Sequence, residues 1–168
     1  MKTVILLRHA KSAWNTGHQS DHERPLKKRG RKDARRVGRM LARTGQLPDL
    51  VLCSTAVRAR QTLEEVVEGG DWPPVETELT DALYEAMPEA VLSAIQRAPD
   101  EAGVLLLVGH DPAWSDVAGR LVGLRRLAMT TGASVRVDLE VNGWQEVAFG
   151  KGTLAWFAPP ELLGKGKG

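Results

Sequence analysis

Three runs of apolar residues punctuate the chain at wide intervals: KTVILL at 2–7, DLVLC at 49–53 and GVLLLV at 103–108. They are short and continuous rather than alternating, as expected for strands covered on both faces of a parallel sheet. Between them the apolar positions change to helical spacing. Ala34, Val37 and Leu41 recur at that interval in RPLKKRGRKDARRVGRMLARTG, which predicts a helix begun near Pro25 and stopped at Gly45. Ser54 is placed to cap a second helix, TAVRARQTLEEVVEGG. A short strand, PVETEL, leads through TDALYEA into a helix started by Pro88 and ending near Pro99. Asp111 reads as an N-cap with Pro112 at the first position of a further helix, AWSDVAGRLVG.

The last third changes period. SVRVDLEV alternates strictly, the NG at 142–143 predicts a hairpin turn, and WQEVAFG is the answering strand. TLAWF adds another strand. The order of elements predicts an α/β fold: a three-layer α/β/α sandwich with a mainly parallel central sheet and an antiparallel C-terminal edge. One domain is expected over 1–160, with a flexible tail over 161–168 that ends in GKGKG.

Composition narrows the setting. The chain has 168 residues, 42% hydrophobic and 26% charged, which is enough to bury a core. Cys53 is the single cysteine, so no intrachain disulfide forms and an oxidising compartment is not indicated. The first apolar run is interrupted by Arg8 after four residues, too soon for a secretory or membrane-spanning segment. A cytoplasmic location without membrane association is expected. The net charge of +2 hides an asymmetry: residues 27–43 carry nine lysines and arginines against Asp33, a local +8, and the rest of the chain is −6. No aromatic or nucleic-acid motif accompanies that charge, so it reads first as a solvated helix face, with attraction of an acidic protein substrate as the second reading, and no nucleic-acid partner is expected.

The chemistry gathers at strand ends. In open α/β sheets ligands bind beyond the carboxyl ends of the strands. Here one run ends in Arg8 and His9, the next in Ser54 with Arg58 one turn into the helix, and a third in His110. Two guanidiniums, two imidazoles and two helix N-termini suit a tetrahedral anion such as phosphate.

LRHAKSAWN, RPLKKRGRKDA, CSTAVRARQT and LLLVGHDP, in that order between residues 5 and 112, resemble the signature blocks of the histidine phosphatase (phosphoglycerate-mutase-like) superfamily. Short length and the lack of large insertions are similar to the SixA-type phosphohistidine phosphatases. The resemblance implies that His9 is a nucleophile that becomes phosphorylated. Arg8, Arg58 and His110 would hold the phosphoryl oxygens, with Ser12 and Asn15 as weaker contacts and Glu85 as proton donor to the leaving group. Such chemistry splits one displacement into two and draws on positioning and charge, so neither metal nor cofactor is expected. The implied partner is a phosphorylated substrate, a phosphohistidine protein or a small phosphomonoester. Ala10 departs from the glycine usual in the first block.

Rival readings are weaker. Cys53 and Arg58 are separated by four residues, not the five of a cysteine-phosphatase loop, and no His precedes the Cys. GKGT at 150–153 lacks a P-loop's first glycine at the right distance. His18, Asp21, His22 and Glu23 lie in a loop with no further ligand cluster, so they read as exposed or as part of the pocket mouth. Two function classes remain: a phosphatase acting through His9, with a phosphomutase as its variant, and a catalytically idle phosphate- or phosphoprotein-binding module.

Overall fold

A computed structural model of the chain describes residues 1–14, 17 and 20–164. The strands are β1 (Lys2–Arg8), β2 (Leu50–Ser54), β3 (Glu76–Thr80), β4 (Val104–Gly109), β5 (Ser134–Leu139) and β6 (Gly152–Ala158). The helices are α1 (Lys28–Arg43), α2 (Val57–Gly69), α3 (Pro88–Gln96) and α4 (Ala113–Leu121). The strands form one sheet in the order β3-β2-β4-β1-β5-β6. The four strands from β3 to β1 run parallel, and β5 and β6 pair antiparallel at the far edge. This is the α/β architecture with an antiparallel edge that the hydrophobic pattern predicts.

Alternation along the central strands sorts the core into two layers. Val4, Leu6, Leu105 and Leu107 join α3 and α4 on one face, where Trp114 and Trp144 are fully buried. Ile5, Leu7, Leu106 and Val108 join α1 and α2 on the other. A strand clothed on both sides has no polar face, which is why these runs are continuous in the sequence. Cys53 belongs to the second layer. It is fully buried, and burial pushes its thiol up to about 12.

The C-terminal third differs from the predicted hairpin. WQEVAFG is not a strand: residues Trp144–Glu146 form a single 3-10 turn, and β6 is the partner of β5. Local chemistry overrides the turn signal. The Glu146 carboxylate accepts from the N–H groups of Asn142 and Gly143, both at 2.8 Å. Trp144 turns inward to donate its indole N–H to the Ala102 carbonyl at 2.7 Å. Another short 3-10 helix, Pro160–Leu163, spans the boundary expected between the domain and a flexible tail over 161–168, and its Leu163 packs against the α1–α2 layer. Residues 165–168 lie outside the described residues. Two predicted caps are also shifted. α4 starts at Ala113, after Pro112, yet the Asp111 carboxylate still accepts from Ser115 N–H at 3.0 Å. Ser54 Oγ accepts from Ala56 N–H at 3.2 Å just before α2.

Candidate active site

Parallel pairing of β1 with β4 sets Arg8 opposite Gly109, so the next residue of each strand, His9 and His110, emerges at one sheet edge. The chain then diverges: α1 follows β1 onto one face, and α4 follows β4 onto the other. That divergence opens a crevice of the kind in which α/β sheets bind ligands. The two imidazole centroids are 5.2 Å apart. Gly132, at φ +77°, makes a turn that few other residues could adopt, and its N–H bonds the carbonyls of Arg8 and His9 at 3.1 and 3.0 Å. Gly109 has a different reason to be glycine, because a side chain there would overlap the Trp114 ring. The resulting cavity, about 330 Å³, is lined by Arg8, His9, Ser12, Arg58 and His110, with Lys11, Trp14, Asp21, Arg24, Asp111 and Thr131 around them.

The protonation of His9 can be read from its neighbours. Its Nδ1 lies 2.8 Å from the Ala10 carbonyl, which only accepts, so Nδ1 carries the hydrogen. Nε2 is left with a lone pair, and Arg58 Nε–H donates to it at 3.3 Å. Burial lowers the His9 pKa to about 3. The Ala10 carbonyl opposes that shift, while His110, Arg58 and Arg8 reinforce it. Burial, with Arg58 next in weight, lowers His110 to about 4. His110 Nε2 sits 2.8 Å from Ser54 Oγ, and its buried Nδ1 has no partner among the described residues. Thr62 braces the arrangement from below: its hydroxyl accepts from Ala10 N–H at 3.0 Å and donates to the Arg58 carbonyl at 2.7 Å.

Arg58 is buried and held by Asp21, donating to its carbonyl at 2.7 Å and to its carboxylate at 3.1 Å. The same carboxylate accepts from Tyr84 O–H at 2.7 Å and from Arg24 at 2.9 Å. The Tyr84 hydrogen bond first, then Arg24 and Arg58, keep Asp21 well below the usual carboxylate range against the effect of burial. Arg24 also donates to Ser12 Oγ at 2.7 Å and lies 3.6 Å over the Trp14 ring. Arg8 donates to the Met129 carbonyl at 2.8 Å and stands 3.7 Å from Asp111, while its buried Nε has no partner among the described residues.

The structure thus brings together Arg8, His9, Ser12, Arg58 and His110. Glu85 is not with them: it is exposed, at φ +53°, and does not line the cavity. Asn15 and His18 lie outside the described residues. Asp21 lines the cavity and His22 bonds Thr55 at 2.9 Å. Among the described residues no three His, Cys, Asp or Glu side chains group as for a metal. Sequence reasoning placed Asp21 at most at the pocket mouth, where it does line the cavity, and missed Arg24 and Tyr84 and the hydrogen bonds that tie Asp21 to them and to Arg58. The available signal was the acid three residues before Arg24 in DHERPL, since an Asp–Arg pair at that spacing in one turn makes the observed ion pair.

Held neutral, both histidines make folding sensitive to acid. Between about pH 6.5 and their lowered folded values, the unfolded chain binds protons that the folded chain refuses. Stability therefore falls as pH falls, by up to about 1.4 kcal/mol per pH unit for each histidine. Asp21 acts in the same direction but in a lower window, because its ionised form is lost only below the ordinary carboxylate range. In urea unfolding, the wild type should lose more stability than His9→Asn between about pH 7.5 and 5. Equal losses would show that His9 is not held neutral.

Strand ends, paired imidazoles and the arginine beside them define a class. The chain belongs to the histidine phosphatase superfamily (branch 1), whose family model matches residues 4–90. Members of this superfamily are phosphatases or mutases. Among solved structures the chain is similar to SixA from Agrobacterium tumefaciens, with a TM-score of 0.82 and 28% identity over 95% of this chain and 98% of that one. It is equally similar to the protein histidine phosphatase SixA complexed with tungstate (TM-score 0.82, 27% identity, 96% and 99% covered). Protein Rv1276c of Mycobacterium tuberculosis is 37% identical over 163 residues, 92% of this chain and 99% of the relative. A 2,3-bisphosphoglycerate-dependent phosphoglycerate mutase of Bifidobacterium longum matches over 77 residues at 36% identity, 44% of this chain and 31% of the mutase.

Proposed function

We propose that this chain is a metal-independent phosphatase that works through a phosphohistidine on His9 and acts on phosphohistidine or on a small, activated phosphomonoester. The observation that carries the reading is the His9 Nε2 lone pair, neutral at physiological pH and facing a cavity lined by Arg8, Arg58 and His110. In the first step Nε2 attacks phosphorus and the bond from phosphorus to the leaving group breaks. In the second, water attacks phosphorus, the P–Nε2 bond breaks, and inorganic phosphate leaves with His9 restored. Arg58 Nε–H, already directed at Nε2, would donate to an oxygen of the transferring group. Arg8 and His110 supply further positive or donating groups, so the field is provided by side chains.

The leaving group is narrowed by the acids. Asp21 is ionised and claimed by two arginines and a tyrosine, and Asp111 lies against Arg8 and Arg126. Asp21 is therefore not poised to give up a proton, the Asp111 carboxylate is engaged by those two arginines, and Glu85 stands outside the cavity. A phosphohistidine, whose imidazole takes its proton from solvent before the bond breaks, suits this site better than an alkyl ester, which needs an acid. A cytoplasmic setting, with a phosphoprotein as partner, belongs to the same proposal.

Brief incubation with a radiolabelled phosphodonor tests the covalent step. An acid-labile, base-stable label on the wild type that vanishes in His9→Ala is the expected result. A label that persists in the variant would move the covalent step off His9, and none in either protein with substrate still bound would leave the idle binding module as the better description.

A further inference from the structure

The structure resolves the basic segment into two rows of different character. α1 is 16 residues long, about 24 Å at 1.5 Å per residue. Gly30, Ala34, Val37, Gly38 and Leu41 form its buried side. Next to α2, Arg31 and Arg35 donate to Glu65 at 2.9 and 3.1 Å, so their charge is met within the fold. Opposite the buried side, Lys28, Lys32, Arg36, Arg39 and Arg43 follow one another at three- and four-residue steps, within an arc of about 80° at 3.6 residues per turn. Arg36 has Asp33 at 3.3 Å. The other four have no carboxylate within ion-pair distance among the described residues.

The N-terminal end of α1 meets a residue of the cavity wall. Lys11 lines the cavity, its carbonyl accepts from Lys27 N–H at 2.9 Å, and a side chain at Gly30 would overlap it. At the far end Arg36, Arg39, Arg43 and Leu163 wall a recess of about 180 Å³. A line of five cations, four of them without a carboxylate at ion-pair distance among the described residues, on a helix whose N-terminal end meets the cavity wall fits a partner that bears its phosphoryl group beside an acidic surface. We propose that this face of α1 docks an acidic protein face adjoining the phosphorylated side chain. The identity of that side chain rests on the phosphatase reading above; the docking rests on the row of charge. No aromatic residue occurs between 28 and 43, so the row lacks the stacking platforms that single-stranded nucleic acids use.

The test uses two synthetic peptides, each with one phosphohistidine followed by a glycine linker and then a run of either glutamates or glutamines. At about 20 mM salt, kcat/KM for the acidic peptide should exceed that for the neutral one by roughly tenfold or more, and the two should converge near 0.3 M as screening shortens. The full chain carrying K28E, K32E, R39E and R43E should turn over both peptides at the neutral peptide's rate, which also shows that the variant is folded. Fluorescence anisotropy of the unphosphorylated acidic peptide reads docking without turnover: binding is expected to the wild type and not to the variant. Binding without turnover of either peptide would uphold docking and reject the phosphatase reading. Equal kcat/KM for the two peptides, or an advantage that survives in the variant, overturns the docking. So does a single-stranded oligonucleotide of equal charge that displaces the acidic peptide at the same or lower concentration.

Discussion

Replacing His9 with alanine should lower kcat by at least about 10⁴-fold while leaving binding of tungstate within roughly tenfold of the wild type. The two readouts separate because His9 makes different contributions to each. For turnover, the proposed route makes Nε2 the atom that bonds phosphorus, and the other imidazole of the cavity, His110, has its Nε2 engaged with Ser54 Oγ. For binding, Arg8, Arg58 and His110 remain. The variant also loses the Nδ1–H bond to the Ala10 carbonyl and the acceptor for Arg58 Nε–H, so some loosening of the arginine is expected. Steady-state kinetics with a phosphohistidine substrate, beside calorimetric titration with tungstate, makes the comparison. Retained turnover in a folded His9→Ala protein would remove the covalent mechanism.

Arg58→Ala should cost about 10³-fold in kcat/KM, within the range attributed to arginines that meet the charge of a transferring phosphoryl group. Arg58→Lys should recover only a small part of this. A lysine restores one positive charge, but it cannot donate at once to the Asp21 carbonyl, the Asp21 carboxylate and the His9 side. Asp21 is therefore expected to matter through Arg58. Asp21→Asn in the wild type should lower kcat by about tenfold with little change in KM, and should cost almost nothing further once Arg58 is alanine. That non-additivity is what a double-mutant cycle reports for residues acting as one unit. Additive losses would mean that Asp21 touches the substrate or the fold independently of Arg58.

The chemistry at strand ends was legible because short-range rules govern it. A continuous apolar run stops where a strand leaves the core, so Arg8, His9 and His110 had to emerge at a sheet edge. Their adjacency required only that β1 and β4 be neighbours, which a chain of alternating strands and helices makes natural. The residues that hold the site were much less legible. Asp21 and Tyr84 are 63 positions apart and meet only because the loop after β1 and the turn after β3 fold over the same cavity. Nothing periodic marks either. The NG hairpin failed for a related reason: a turn dipeptide states a local preference, and burial of Trp144 with the Glu146 bonds to two backbone N–H groups outweighs it. Glu85 was placed by motif position alone, which fixes neither exposure nor direction.

Cys53, sealed at the end of β2, carries one last implication. Enzymes that remove phosphate with a cysteine must keep that sulfur ionised and reachable, and they stop when peroxide or an alkylating reagent finds it. Here the only sulfhydryl is walled off and strongly disfavours the thiolate. A dephosphorylation run on imidazole nitrogen would continue through an oxidative burst that silences cysteine-based counterparts.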